Sequence, residues 1–298
     1  MLYLQEKLYL CRQKHEELAH LTFTSGSRLL SFASPAVAAI INVTPDSFAV
    51  HCSSCTEAEV LSAASQALQE GADILDIGGC STRPGAAFVP EDEEWRRVET
   101  ALRAIRGAWP DAVVSVDTWR SGVAQRAVEY YGADIINDVS GGLWDNRMYE
   151  TVLRARVPYI IMHSGWTDPM QQHTAAYPDG VLAAVLAFMQ ERIDILHTMG
   201  VKDVIADPGF GFGKTLDENW LLLRNLRVLK ELGCPVLAGI SRKSMLFRLL
   251  GITPAEALNA TTAAHLAALD GGADILRVHD VKAAREVITI HKKLKGEI

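Results

Sequence analysis

The chain has 298 residues, of which 49% are hydrophobic and 22% charged, with a formal net charge of −7. That length suits a single α/β barrel, and that composition buries a large core. The acidic balance without any Lys/Arg tract disfavours nucleic acid and membrane surfaces as partners. The N-terminus is too charged for a signal peptide, and no run of about 18 apolar residues is present to cross a bilayer. Five cysteines, Cys11, Cys52, Cys55, Cys80 and Cys234, make an odd count that indicates free thiols in a reducing cytoplasm.

Residues 1–36 form an N-terminal extension. "LYLQEKLYLCRQKHEEL" reads as a helix and "LTFTSGSRLLSF" as a short hairpin turning at Ser25-Gly26-Ser27. From residue 37 to 298, eight short apolar, β-branched runs alternate with helical patterns. The runs are "VAAIIN" (37–42), "DILDIGG" (73–79), "VVSVD" (113–117), "DIIND" (134–138), "YIIMHS" (159–164), "DVIADPG" (203–209), "PVLAGIS" (235–241) and "DILRVHD" (274–280). Amphipathic stretches such as "TEAEVLSAASQALQEG" and "PEDEEWRRVETALRAIRGAW" lie between them. Three helices hand over to a strand through the same Gly-Ala-Asp-Ile, at Gly71, Gly132 and Gly272, with glycine supplying a left-handed cap. Eight such units predict a (β/α)8 TIM barrel in one α/β domain, with the N-terminal hairpin against its bottom. A doubly wound open sheet is the alternative.

The strands end in Asn42, Asp76, Asp117, Asn137-Asp138, His163, Asp207, Ser241-Arg242-Lys243 and Arg277-His279-Asp280. In a barrel these ends form the active mouth. One polar strand end is an ordinary cap, whereas eight in a ring indicate a site. Asp117, Asn137, Asp207 and Lys243 suit a flat heterocycle presenting amide and amino groups, since a carboxylate accepts two N–H donors from one edge. Asn42, Arg83, Arg277 and His279, beside "GGCSTRPG" and "GFGFGK", suit a phosphate or diphosphate with Mg2+. "GFGFGK" is not a Walker loop, and neither a His zinc motif nor a G-x-S-x-G elbow is present. Trp95, Trp109 and Trp220 lie in helical patterns and read as packing residues, and Cys11 and Cys234 as inert thiols.

"INVTPDSF" (41–48), "DIGGCSTRPGA" (76–86), "SVDT" (115–118), "DIINDVSGG" (134–142), "DPGFGFGK" (207–214), "GISRKSM" (239–245) and "RVHDV" (277–281) together resemble the dihydropteroate synthase family, in order and in register. The resemblance implies a barrel enzyme, a homodimer, that condenses 6-hydroxymethyl-7,8-dihydropterin diphosphate with p-aminobenzoate for folate synthesis. It implies that Asp117, Asn137, Met162, Asp207, Gly211, Phe212 and Lys243 hold the pterin. Asn42, Arg83, Arg277 and His279 take the diphosphate, with Asn42 also at Mg2+. Phe48, Thr82, Arg83, Pro84, Ser241 and Lys243 form the p-aminobenzoate side, where sulfonamides compete. Lys243, Arg277, His279 and Asp117 are then the catalytic group. Pterin-dependent methyltransferases share the Asp/Asn/Asp contacts but have no use for a diphosphate grip, and a non-catalytic pterin-binding barrel is the remaining alternative.

The sequence departs from the family after "TPDSF". The usual Ser-Asp is replaced by Ala49-Val50, and "HCSSC" follows, with Asp46 as the remaining loop carboxylate. His51, Cys52 and Cys55, joined by Cys80 from the next loop, make a zinc or redox site conceivable, although one Cys-x-x-Cys is a weak signal. Trp166 and its neighbours after strand "YIIMHS" read either as a cover for the mouth or as a surface excursion.

Overall fold

The computed structural model describes residues 20–33, 35–44, 56–81, 86–168 and 173–298. Eight parallel strands run in the order predicted: β3 (Ala36–Asn42), β4 (Ile74–Gly78), β5 (Val113–Asp117), β6 (Ile135–Asp138), β7 (Tyr159–Met162), β8 (Val204–Asp207), β9 (Leu237–Ala238) and β10 (Ile275–Val278). Hydrogen bonding joins them as β8-β7-β6-β5-β4-β3-β10-β9. A parallel bridge from Ala206 in β8 to Val236, just ahead of β9, closes the ring. The closed order rules out the doubly wound open sheet, which would leave two free edges.

Nine α-helices cover the barrel among the described residues: α1 (Glu57–Gln69), α2 (Glu91–Ala108), α3 (Ser121–Tyr131), α4 (Met148–Ala155), α5 (Val181–Met199), α6 (Leu216–Arg224), α7 (Ser244–Leu250), α8 (Leu258–Asp270) and α9 (Val281–Lys295). Local chemistry sets their starts. Thr56 and Glu59 form a capping box at α1, and Thr215 and Glu218 repeat it at α6. Pro90 and four acidic residues in the first turn open α2, where the helix dipole favours negative charge. None of these helices is long and apolar enough to cross a membrane.

Strand alternation divides the core in two. Val37, Ala39, Leu75, Ile77, Val114, Val116, Ile161, Ala206 and Val278 point outward against the helices. Ala38, Ile74, Ile135, Ile160, Ile205, Leu237 and Ile275 point inward and form the lowest layer of the lumen. The hairpin β1 (His20–Ser25) and β2 (Arg28–Ala33) turns at Gly26 (φ +57°) and packs Leu21, Phe23, Leu30 and Phe32 onto that layer. It therefore plugs the N-terminal end of the barrel.

The repeated Gly-Ala-Asp handovers do more than cap. Gly71 (φ +98°), Gly132 (+59°) and Gly272 (+89°) adopt the expected left-handed backbone. The Asp that follows each one accepts an N–H from a neighbouring strand or its lead-in: Asp73 from Val37 (2.7 Å), Asp134 from Val114 (2.9 Å) and Asp274 from Val236 (2.8 Å). Each is also paired with a cation, Arg285, Arg28 with Arg106, and Lys230 respectively. These carboxylates finish the ladder at the bottom of the barrel, on the side away from the mouth.

Candidate active site

The alternation that fixes the core also sorts the polar strand ends. Counting in steps of two from the inward layer, Asp76 follows Ile74, Asn137 follows Ile135, Met162 follows Ile160, Asp207 follows Ile205 and Arg277 follows Ile275. Asp117 is the register partner of Asn137 and faces the lumen with it. Four residues expected in the ring turn away from it. Asp138 faces the helix layer, where it accepts from the Tyr159 hydroxyl (2.6 Å), from the Ser140 hydroxyl and N–H, and from the Gly142 N–H. His163 packs edge-on against Phe188 of α5 at 5.2 Å and beside Tyr177 at 5.9 Å. Burial and the nearby Lys214 pull its pKa down to about 3, so it is a neutral core imidazole. Arg242 and Asp280 pair with each other outside the mouth, at 2.8 Å.

Inside the mouth, Arg277 holds a polar tier together. Its Nε donates to Asp76 Oδ2 and its Nη2 to Asp117 Oδ2, each at 2.6 Å. Asn137 Nδ2 donates to Asp76 at 3.2 and 3.4 Å. Burial lifts the Asp117 carboxyl above the usual carboxylate range, with Arg277 pulling the other way. The two carboxylates outweigh burial for Arg277 and hold it fully charged. Asp207 is likewise pushed up by burial, opposed by the Gly209 N–H (2.8 Å) and by Lys243 and Arg277. Asn42 reaches the same tier from β3: its Oδ1 and Asp117 Oδ2 both converge on Gly78, within 3.3 and 3.7 Å of where a Cβ would stand.

One wall is apolar. Met162, Val139 and Trp119 pack with Trp144, Phe212 and Cys80, and Trp119 meets Trp144 edge-on at 5.5 Å. The Lys243 ammonium lies 4.3 Å from the centroid of the Phe212 ring, and its methylenes pass beside Gly211. The "GFGFGK" loop is therefore part of this wall and not a phosphate cradle. Its Lys214 turns inward and donates to the carbonyls of His163 (3.1 Å), Gly209 (2.7 Å) and Phe212 (3.1 Å). A Cβ on Gly209 (φ +69°) would run into the His163 carbonyl, so only glycine admits this approach. Trp166 is buried on Phe212, with ring centroids 5.1 Å apart, and its Nε1 donates to the His173 carbonyl at 2.7 Å. Trp166 thus ties the start of the segment after β7 to the loop after β8, while most of the described residues 173–180 that follow are exposed, as in a surface excursion.

On the far side, His279 Nδ1 stands 3.0 Å from Ser241 Oγ, which also accepts the His279 N–H at 3.2 Å. Phe48, Thr82, Arg83 and Pro84, and with them Asp46, His51, Cys52 and Cys55, lie outside the described residues. Cys80, their expected partner, has its thiol pushed up to about 12, first by burial and next by Glu94. Without a metal beside it, that thiol stays protonated at neutral pH. Trp95 packs in the core from α2, as expected.

Two residues central to this geometry escaped assignment from the sequence alone. Asp76 stood among the strand ends but in neither ligand set, and Lys214 was only the end of a glycine pattern. Strand parity, counted from the inward layer, identifies the first. Nothing in the sequence marks the second.

A closed eight-stranded barrel with carboxylates, an amide and two cations at the C-terminal strand ends defines a (β/α)8 enzyme of small polar molecules. The family profile described as "Pterin binding enzyme" matches residues 38–279. The dihydropteroate synthase of Streptococcus pyogenes is 41% identical over 263 residues, covering 87% of this chain and 95% of that one. The folic acid synthesis protein fol1 of Pneumocystis carinii is 38% identical over 82% of this chain, which spans 34% of its length. The solved Xanthomonas albilineans dihydropteroate synthase with 4-aminobenzoic acid superposes with a TM-score of 0.83 at 38% identity, covering 93% and 99% of the two chains. The chain belongs to the pterin-binding enzymes, within their dihydropteroate synthases.

Proposed function

We infer that the chain condenses 6-hydroxymethyl-7,8-dihydropterin diphosphate with p-aminobenzoate, releasing diphosphate and forming dihydropteroate for folate synthesis. The observation that carries this reading is the tier of Asp117, Asn137 and Asp207 facing an apolar wall of Met162 and Phe212, with Lys243 laid on Phe212. The polar edge of a pterin donates N–H groups to carboxylates, and its faces pack between Met162 and Phe212. Gly211 leaves the backbone low beside Lys243.

Asn42, Arg83, Arg277 and His279 take the diphosphate in this reading. Phe48, Thr82, Arg83, Pro84, Ser241 and Lys243 receive p-aminobenzoate, and sulfonamides, which share its arylamine, compete there. The side-chain oxygens of Asn42 and Asp117 that converge on Gly78 are hard donors of the kind Mg2+ takes. When bound there, Mg2+ neutralises charge on the diphosphate. Arg277 and His279 stabilise the departing diphosphate as the C–O bond breaks with its electron pair. The reduced pterin ring delocalises the resulting cation. Ser241, Lys243 and the Phe48 and Thr82–Pro84 segments hold the arylamine in line, and its nitrogen attacks the same carbon and sheds a proton. An arylamine is already nucleophilic and needs no strong base, so the Ser241–His279 pair has no nucleophile to activate in this reading.

The cluster of Ser241, Lys243, Arg277 and His279 disfavours a methyltransferase, which has no diphosphate to grip. Exposed Leu249 and Leu250 on α7, Leu258 on α8, and Ile290 and Leu294 on α9 support a homodimer. The free thiols of Cys80 and Cys234 support a reducing cytoplasm. The test is diphosphate release by purified chain with Mg2+ and pterin diphosphate, with and without p-aminobenzoate. Release that depends on the arylamine is expected. Release from pterin diphosphate alone is hydrolysis, and no release at all points to a binding-only barrel.

A further inference from the structure

Among the described residues, two non-glycines adopt a positive φ, Arg156 and Arg242, both at +54°. Arg156 closes a helix on the surface. Arg242 sits between Ser241 and Lys243, on the loop after β9, in a conformation that side-chain-bearing residues rarely adopt. Its own side chain holds it there. Nε and Nη2 form two parallel bonds to the carboxylate of Asp280, each 2.8 Å, and Nη1 donates to the carbonyls of Pro254 (3.1 Å) and Ala255 (3.0 Å). Its backbone N–H donates to Thr261 Oγ1 at 3.1 Å. None of these partners belongs to the tier in the mouth.

The two ends of this pair lie beside the functional groups. Arg242 is flanked by Ser241 and Lys243, and Asp280 directly follows His279. On the mouth side the same two loops are joined again through Ser241 Oγ and His279. The loop after β9 and the loop after β10 are thus stapled twice, once inside the mouth and once behind it. The staple behind is a planar fork, which fixes orientation as well as distance.

We propose that Arg242 and Asp280 form a positioning pair: without touching substrate, they hold the left-handed turn that presents Ser241, Lys243 and His279 together. This deepens the functional reading above and rests on it. Both side chains are about one-quarter exposed, at 25% and 24%, so the pair is not a core element on which folding depends.

Three variants separate the contributions. Arg242→Gly leaves the positive φ accessible and removes the fork. Arg242→Lys keeps the charge without the fork, and Asp280→Asn keeps the shape without the charge. Diphosphate release is measured under p-aminobenzoate saturation curves, pterin binding by calorimetry, and folding by thermal melting. The expected loss of kcat/KM for p-aminobenzoate is about tenfold or more in Arg242→Gly and in Asp280→Asn, with Arg242→Lys in between. Pterin affinity, set by Asp117, Asn137 and Asp207, stays within about threefold, and the Arg242→Gly/Asp280→Asn double variant is no worse than the poorer single one within about twofold. Kinetics within about twofold of wild type in the single variants, losses that multiply in the double variant, or a parallel collapse of pterin affinity and melting temperature would each overturn the proposal. If the wild-type chain itself shows no arylamine-dependent release, the functional reading fails and this proposal fails with it. Wild-type turnover with unaffected variants sinks the positioning pair alone.

Discussion

Arg277 Nη2 lies 2.6 Å from Asp117 Oδ2, joining a residue expected at the diphosphate to one expected at the pterin. The same guanidinium binds Asp76 through Nε, so three side chains from β4, β5 and β10 share one charge network. The two ligand sets read from the sequence are therefore not independent. A planar fork satisfies two carboxylates at once, and Asn137 extends the network to β6 through Asp76. In the proposed reading, the pterin side is ordered through the cation that also faces the leaving group.

Arg277→Lys tests that linkage. Lysine keeps the charge but reaches one carboxylate at a time, leaving the other buried without its partner. Arylamine-dependent diphosphate release is expected to fall by about two orders of magnitude. Arg277 is also what opposes the upward push of burial on Asp117. The acidic limb of pterin binding, set by protonation of that carboxyl, therefore moves to higher pH in the variant. Titration of pterin affinity against pH measures the limb, and an unchanged limb would separate Arg277 from Asp117 in function.

Lys243→Ala and Asp207→Ala are each expected to abolish synthesis while leaving the fold intact. Lys243 lies on the Phe212 ring and faces Asp207, at the centre of the wall proposed to receive the heterocycle. The melting temperature and far-ultraviolet circular dichroism should stay close to wild type, since neither side chain belongs to the apolar core. Near-normal turnover in either variant would remove it from the pterin site.

The barrel was legible because its eight strands are continuous apolar runs and its helices carry polar faces. Even β9, only Leu237–Ala238 in the ladder, stands out as "PVLAGIS". The orientation of the strand ends was harder. A strand buried on both faces has no polar alternation, so "DIIND" does not say whether Asn137 or Asp138 enters the lumen. The hairpin plug answers it by marking Ile135 as inward. Arg277 and Asp76 lie 201 residues apart, and no local pattern reports such a pairing. The left-handed turn at Arg242 was equally silent, because arginine is not a residue type that announces one. Lys214 carried no signal either: its role depends on three carbonyls brought together by folding.

Asp134→Ala separates stability from catalysis. Asp134 is buried at the bottom of the barrel, accepting the Val114 N–H and pairing with Arg28 (2.9 Å) and Arg106 (2.8 Å). Its removal leaves a strand N–H short of a partner and takes a carboxylate from two arginines that keep backbone carbonyl acceptors, a loss of about 1–3 kcal/mol. Thermal or denaturant unfolding should show that cost. The kcat/KM measured well below the melting temperature should stay within about twofold of wild type, since the mouth lies at the other end of the strands.

Acid sensitivity is expected to run through His163. Its pKa is about 3 in the folded chain, chiefly because it is buried, against an ordinary value of 6.5 once unfolded. Between those values the unfolded chain binds the extra proton, so stability is fully present above about 6.5 and is lost as pH falls towards 3. Each pH unit in that window costs up to about 1.4 kcal/mol for such a group. His265, buried on α8 and pulled down to about 4, adds a second contribution of the same sign. His163→Phe keeps a ring against Phe188 and Tyr177 and removes the titration. Urea midpoints measured from pH 7 to pH 4 should decline less steeply in the variant than in wild type. Equal slopes would show that His163 is already neutral in the unfolded chain or charged in the folded one.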